Sequence, residues 1–230
     1  MAAPLTSPLT WRRFHGQVKE CLIGAVARNK RLLDVGCGVG GDLWRWKRAG
    51  VLSAVGVDPD ELSVCEAGRR AATADMSKRA FFIHTPDVVA RLRILHGPSY
   101  EAITCMFAIQ HVEDMDALLR ECWRLLRLGG CIVLCLPDSE AVREAPSELV
   151  TIEGDRACFH LDTPYFHRKC APSAERLVPR LDLQEALERS GFSRLQWLPF
   201  HTFDGFATMA HADQNKSRLY AACVALKESI

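Results

Sequence analysis

Residues 32–50 read LLDVGCGVGGDLWRWKRAG. The stretch starts as a buried strand would, with Leu32, Leu33 and Val35, then collapses into glycine at Gly36, Gly38, Gly40 and Gly41. A segment rich in tryptophan, arginine and lysine follows at once. Small residues just after a strand let a ligand approach the backbone. A helix starting there offers free N–H groups to a polar ligand. The next apolar run ends in VGVDPDE, which sets Asp58 about 20 residues beyond the loop, where a carboxylate suits the two donors of a ribose diol. Two ligand classes fit: a dinucleotide on a loosely GxGxxG-like loop, or S-adenosylmethionine, which needs the same ribose carboxylate but has no pyrophosphate. A tight turn with no ligand accounts less well for the glycines and Asp58 together.

Working outward, strand-length apolar runs recur at 31–36, 53–57, 80–84, 101–106 and 131–136, with helix candidates at 41–48, 60–72 and 113–127 between them. In MDALLRECWRLLR the apolar positions Leu118, Leu119, Cys122, Leu125 and Leu126 keep helical spacing, and Gly129 and Gly130 supply a stop. The alternation predicts an α/β, Rossmann-like fold: a mostly parallel sheet with helices on both faces. After residue 137 the rhythm changes. Residues 138–174 read as a loop and hairpin insertion after the fifth strand. A helix returns over 180–190 and stops at Gly191. Two last strands, 194–199 and 218–226, are expected to pair antiparallel at the sheet edge. One domain over 1–230, with residues 1–30 adding an N-terminal helix to the site, is the economical organisation.

Composition narrows the function classes. The chain has 230 residues, 48% apolar and 25% charged, an ordinary globular balance. A formal net charge of +1 leaves no global field for nucleic acid or membrane, so any such attraction must be local. No apolar run reaches membrane-spanning length, and MAAPLTSPLTWRRF lacks the features of a signal peptide. A reducing compartment is therefore expected. The ten cysteines form no CxxC pair, and several lie in apolar runs as small buried hydrophobes. Cys158, His160, His167 and Cys170 cluster in sequence, but their spacing matches no common zinc pattern. The segment reads as a hairpin with mixed side chains, and no metal is expected.

The motifs then narrow the ligand. DVGCGVG resembles motif I of class I methyltransferases, and GGDLWRWKRAG resembles the continuation in mRNA cap guanine-N7 methyltransferases. FHGQVKECLIG, MFAIQHVED, CLPDSEAV, SAERLVPRLDLQEALERSGF and LYAACVALK resemble further segments of that family, in the same order, from about residue 11 onward. The resemblance implies S-adenosylmethionine as cofactor and a capped RNA 5′ end, GpppN, as substrate. By position, Lys19, Asp34, Gly36, Gly38, Asp58, Asp87, Met106 and His111 are implied to meet the cofactor, Lys19 at its methionine carboxylate and Asp58 at its ribose. Arg45 and Arg70 are implied at the cap phosphates. Phe107, Gln110, His111, Pro137, Glu175 and Tyr220 are implied around the cap guanine. The family's Gln-Phe-x-x-His-Tyr stands here as Met106-Phe107-x-x-Gln110-His111, its Asn-Asn after Phe14 as His15-Gly16, and its loop lysine as Val39. A capping-apparatus or activator subunit is not readable from the sequence. The resemblance implies a nuclear protein, or a cytoplasmic one if virus-encoded.

Guanine N7 carries an exposed lone pair, and a sulfonium is already a good leaving group. Methyl transfer there needs alignment rather than a general base, in keeping with the absence of a Ser/His/Asp or paired-carboxylate pattern. Two rivals remain at this point: a methyltransferase for a small molecule or another substrate, and a degenerate subunit that binds cap or cofactor and activates a partner.

Overall fold

The computed structural model describes residues 9–161 and 174–228. In chain order the first half comprises α1 (Trp11–Val26), β1 (Arg31–Val35), α2 (Leu43–Arg48), β2 (Ser53–Asp58), α3 (Glu61–Thr73), β3 (Ala80–His84), α4 (Val88–Ile94), β4 (Tyr100–Met106) and α5 (Met115–Leu125). The second half comprises β5 (Leu126–Pro137), α6 (Ser139–Arg143), β6 (Val150–Glu153), β7 (Arg156–Phe159), β8 (Glu175–Arg176), α7 (Arg180–Arg189), β9 (Ser193–Pro199), α8 (His211–Arg218) and β10 (Tyr220–Leu226).

Seven strands form one sheet in the order β3-β2-β1-β4-β5-β10-β9. The first five run parallel, and β10 lies antiparallel between β5 and β9. The expected fold class is found. The two late strands do pair antiparallel, but β10 inserts next to β5 and only β9 is the edge. Their connection, expected to be all loop, also holds α8, whose mostly polar residues show no apolar period.

Two apolar cores lie on the two faces of the sheet. One gathers Trp11, Phe14, Leu22, Ile23, Leu43, Trp46, Ala71 and Met76 from α1, α2, α3 and the turn after it. The other gathers Leu92, Leu118, Leu119, Cys122, Leu183 and Leu187 from α4, α5 and α7. β1 and β4 are central, and their inward side chains Leu32, Leu33, Val35 and Ile103 are almost wholly excluded from solvent. Strands buried on both faces read as continuous apolar runs, which is why they were legible.

Local departures have local causes. α5 ends at Leu125, earlier than the glycines suggested, because Leu126 is already extended and starts β5. Gly129 and Gly130 sit inside that strand, where Gly129 N–H bonds to the Lys227 carbonyl. α4 was not expected; it spans seven residues, too few to show a period, and Asp87 caps it by accepting from Ala90 N–H at 2.9 Å. The segment after residue 137 holds α6 and the antiparallel pair β6–β7, which β8 extends to a three-stranded sheet.

Candidate functional site

Parallel strands end side by side, so the loops after β1, β2 and β4 converge at one edge of the sheet. The register Val35↔Val57 sets Gly36 and Cys37 against β2, and both of their N–H groups reach the Val57 carbonyl, at 2.9 and 3.1 Å. Gly36, Gly38 and Gly40 have φ of +75°, +49° and +70°. At Gly36 an added Cβ would lie 2.3 Å from Ala108 Cβ, so β4's continuation closes tightly on the loop. Around Gly38 nothing lies within 4 Å of that position, which leaves a face of the backbone open.

Asp58 is buried at the end of β2 and stiffens this loop. Its Oδ2 accepts from Gly38 N–H at 2.7 Å and its Oδ1 from Asp60 N–H at 2.9 Å. A carboxylate has about four lone-pair sites, so two remain for a ligand with two donors. Asp34, in β1, accepts from the Thr104 hydroxyl at 2.7 Å. Burial, with Asp42 and Asp58 adding repulsion, pushes its pKa up to about 7. Lys19 from α1 forms an ion pair with Asp42. Arg45 bonds the same carboxylate at 2.8 Å and adds bonds to the carbonyls of Gly16 (3.0 Å) and Gly41 (3.1 Å). Three buried carboxylates thus crowd the loop, answered by Lys19 and Arg45. Such a field welcomes a ligand carrying cationic groups, a ribose diol and close backbone contact. S-adenosylmethionine has a sulfonium, an ammonium and a ribose, and the residues present fit it.

The substrate-side residues meet at the ends of β4, β5, β8 and β10. Phe107 directly follows β4 with φ +62°, strained for a side chain other than glycine. It is held there by its N–H on the Cys135 carbonyl at 2.8 Å and by ring contacts with His15, Phe200 and Tyr220. Gln110 lies in a short 3-10 turn and is 3% exposed. Its Nε2 donates to Glu175 Oε2 at 3.1 Å, while its Oε1 is buried with no partner among the described residues. Burial raises the pKa of Glu175, only partly offset by that hydrogen bond. Burial, then the Glu175 charge, raises the Tyr220 hydroxyl pKa. Tyr220 stacks on Phe159 and pairs in register with Pro137. His111 follows Gln110 in the same turn, its pKa lowered by burial and by Arg156.

The structure therefore assembles Phe107, Gln110, Glu175, Tyr220 and Pro137, with His111 alongside, and separately Asp34, Gly36, Gly38 and Asp58, with Lys19 and Arg45 joined through Asp42. Met106 ends β4, buried opposite Cys135. Asp87 is engaged as the α4 cap. Arg70 bonds Glu66 one turn back on α3, and no described contact joins it to Arg45. Arg45 has Nε and Nη1 committed, with only Nη2 left over. His167 and Cys170 lie outside the described residues, Cys158 and His160 lie on and after β7, and no metal cluster occurs among the described residues.

Sequence reasoning missed two participants. Asp42 carries no mark of a role in its motif, yet it joins Lys19 to Arg45. His15 was noted only as a departure, yet it is the hub of a ring cluster with Trp11, Phe14, Phe200, Phe107 and Tyr220. Burial first, then Lys19, lowers its pKa to about 3, so the ring is neutral, 3.2 Å from the Ser217 hydroxyl. The apolar residues at 11, 14, 18 and 22 placed His15 beside the buried stripe of α1, which was the available signal.

A family model described as a methyltransferase domain matches residues 33–132. An mRNA cap guanine-N(7) methyltransferase of Cryptococcus neoformans is 28% identical over 165 residues, 65% of this chain and 23% of the relative. One of Schizosaccharomyces pombe is 29% identical over 57% of this chain and 40% of its own length. A ubiquinone biosynthesis O-methyltransferase of Psychrobacter arcticus is 31% identical over 75% of this chain and 62% of its own. The chain thus spans less than half the length of these cap methyltransferase relatives. Among solved structures, an S-adenosylmethionine-dependent methyltransferase from Mesorhizobium loti superimposes with a TM-score of 0.67 at 21% identity, over 93% of this chain and 99% of that one. The fold is that of the class I methyltransferases, with S-adenosylmethionine as its cofactor.

Proposed function

We propose that this class I methyltransferase fold serves methyl transfer to N7 of a guanine cap, GpppN, by in-line displacement without a general base. The observation that carries the reading is the Gln110–Glu175 pair, its amide buried and its carboxylate half-buried, set among Phe107, Tyr220 and Pro137. Guanine presents N1–H and an exocyclic amine side by side. Gln110 Oε1 is buried and unpaired among the described residues, and the half-buried Glu175 accepts from Gln110 through Oε2, with no bond described for its Oε1. A carboxylate that has lost water without gaining a cation is costly until donors arrive, and the guanine edge supplies them. Adenine offers a bare acceptor there and leaves both groups unpaired, which can give discrimination of about 10⁴-fold.

Bound S-adenosylmethionine supplies the methyl group on a sulfonium. The chain's share is positioning: the glycine loop and Asp58 hold one partner, and the ring cluster with Gln110 and Glu175 holds the other. The test is methylation of GpppA and ApppA by the wild type and by Glu175→Gln. Methyl should appear only on the guanine of GpppA, and the variant, folded, should lose most of that activity. A wild type that binds the cofactor yet methylates no capped dinucleotide ends this reading.

A second reading, methyl transfer to a small molecule, is favoured by the ubiquinone O-methyltransferase relative and by Gln110-His111 in place of the family's His-Tyr. The same assay separates the two.

A further inference from the structure

Arg45, implied by sequence at the phosphates, is largely consumed within the fold: Nε holds the Gly16 carbonyl, and Nη1 holds Gly41 and Asp42. The three-stranded sheet beside the site offers a different cationic pair. β7 and β8 align Arg156 directly opposite Arg176. Directly opposed residues on antiparallel strands share a face, about 4.5–5.5 Å apart at Cβ, and like charges there repel. No ion pair is described for either guanidinium. Glu153 stands across from Arg156 on the far strand, beyond ion-pair distance. Arg176 reaches the carbonyls of Val112 (2.9 Å) and Glu113 (3.5 Å), which anchors its head beside the turn that carries Gln110 and His111. Arg156 spends one N–H on the Ala174 carbonyl at 3.2 Å and keeps the rest of its fork. Its charge is close enough to act on His111. The neighbours of the pair on β8 and β7, Glu175 and Ala157, alternate to the other face of the strands, so the pair meets the base-side group across β8, through the Val112–Glu113 backbone that Arg176 holds.

We propose that Arg156 and Arg176 form an anion site that grips the phosphate chain of the substrate where it passes His111 and the edge of β8. Two guanidinium forks can each bind phosphate oxygens in pairs, and an anion between them relieves the repulsion built into the strand pair. The identity of that chain as a cap triphosphate rests on the cap reading; the existence of the site does not.

The experiment measures binding of inorganic tripolyphosphate and of GpppA to the whole chain across a salt series. The proteins compared are the wild type, Arg156→Gln, Arg156→Lys and a surface control, Arg189→Gln, whose arginine pairs with Asp116. Arg156→Gln should weaken both ligands roughly tenfold or more at low salt and reduce the salt slope by about one. Arg156→Lys should recover part of the loss, Arg189→Gln should bind like wild type, and S-adenosylmethionine affinity should stay unchanged throughout. The proposal is overturned if tripolyphosphate fails to bind the wild type, if Arg156→Gln binds both ligands as well as wild type, or if Arg189→Gln loses as much. Arg156-dependent tripolyphosphate binding in a protein that leaves GpppA unmethylated upholds the anion site and defeats the cap reading alone.

Discussion

The two ends of the site are built in opposite ways. At the cofactor end the work is done by backbone: three glycines at positive φ, N–H groups on Val57, and one carboxylate that ties Gly38 to Asp60. Its residues come from one short stretch and the end of the next strand. At the substrate end the work is done by side chains from positions 15, 107, 110, 175 and 220, brought together only by the sheet order. A backbone site depends on conformations that few residues can adopt. A side-chain site depends on which groups are left without partners once the fold is complete. The first kind should break through stability, and the second through activity in a protein that still folds.

The largest stability effect is expected at Gly36. Alanine there must hold φ +75°, at about 1–2 kcal/mol for the left-handed region, and its Cβ meets Ala108 Cβ, adding about 1–3 kcal/mol of overpacking. Urea denaturation of Gly36→Ala should show a loss of about 2–5 kcal/mol. A loss within error of zero would mean that β4's continuation does not close on the loop as described.

Next comes pH. Asp34 has a folded pKa of about 7 against 3.8 unfolded, with burial as the main cause. The folded state then binds more protons than the unfolded state between pH 4 and 7, so stability falls as pH rises through that window. Asp34→Asn keeps an acceptor for the Thr104 hydroxyl and cannot ionise. The stability difference between variant and wild type should grow in the variant's favour from pH 4 to pH 7, by on the order of 2–4 kcal/mol, and level off above. Parallel stability curves would show that Asp34 is ionised at no cost. Glu175, also raised, follows the same sign from the ordinary glutamate range upward. Glu175→Gln should therefore fold at least as well as wild type at neutral pH while losing activity, the signature of the side-chain end.

Asp58→Ala should weaken S-adenosylmethionine binding by about 1.5–3 kcal/mol, the scale of a hydrogen bond to a charged group. Calorimetry on folded variant is the check, and unchanged affinity would remove Asp58 from the ribose. Its second task, pinning Gly38 and Asp60, predicts a smaller accompanying loss of stability.

The contrast also explains what was legible. Glycines, an acidic strand end and buried apolar strands leave local marks, so the sheet, its helices and the cofactor end could be read from spacing. α4 and α8 left little mark, one too short and the other mostly polar. The partners of Arg45 could not be read, because the Gly16 carbonyl is a backbone group from another helix. Nor could the unpaired Gln110 Oε1, because orphaned atoms are defined only after every neighbour has been placed. Asp87 has a second task that its spacing does not show: one carboxylate oxygen caps α4, and the other is left over. Arg156 and Arg176, remote from each other in a proline-rich stretch, became a pair only through strand register.

The smallest stability effect, and the sharpest probe of the comparison, is expected two residues from the largest. Gly38 also sits at positive φ, +49°, but an added Cβ has nothing within 4 Å. Gly38→Ala therefore carries the backbone term alone, about 1–2 kcal/mol, with its N–H still available to Asp58. The methyl group would project into the space that the cofactor needs for close backbone approach. Affinity for S-adenosylmethionine should fall further than stability does, reversing the pattern of Gly36→Ala, where the fold suffers first. Denaturation and calorimetry on the same preparation decide it. A stability loss matching Gly36→Ala would show that the space around Gly38 is closed. Full affinity in the alanine variant would move the cofactor off this face of the loop, and the carboxylates around it would then need another cationic ligand to answer them.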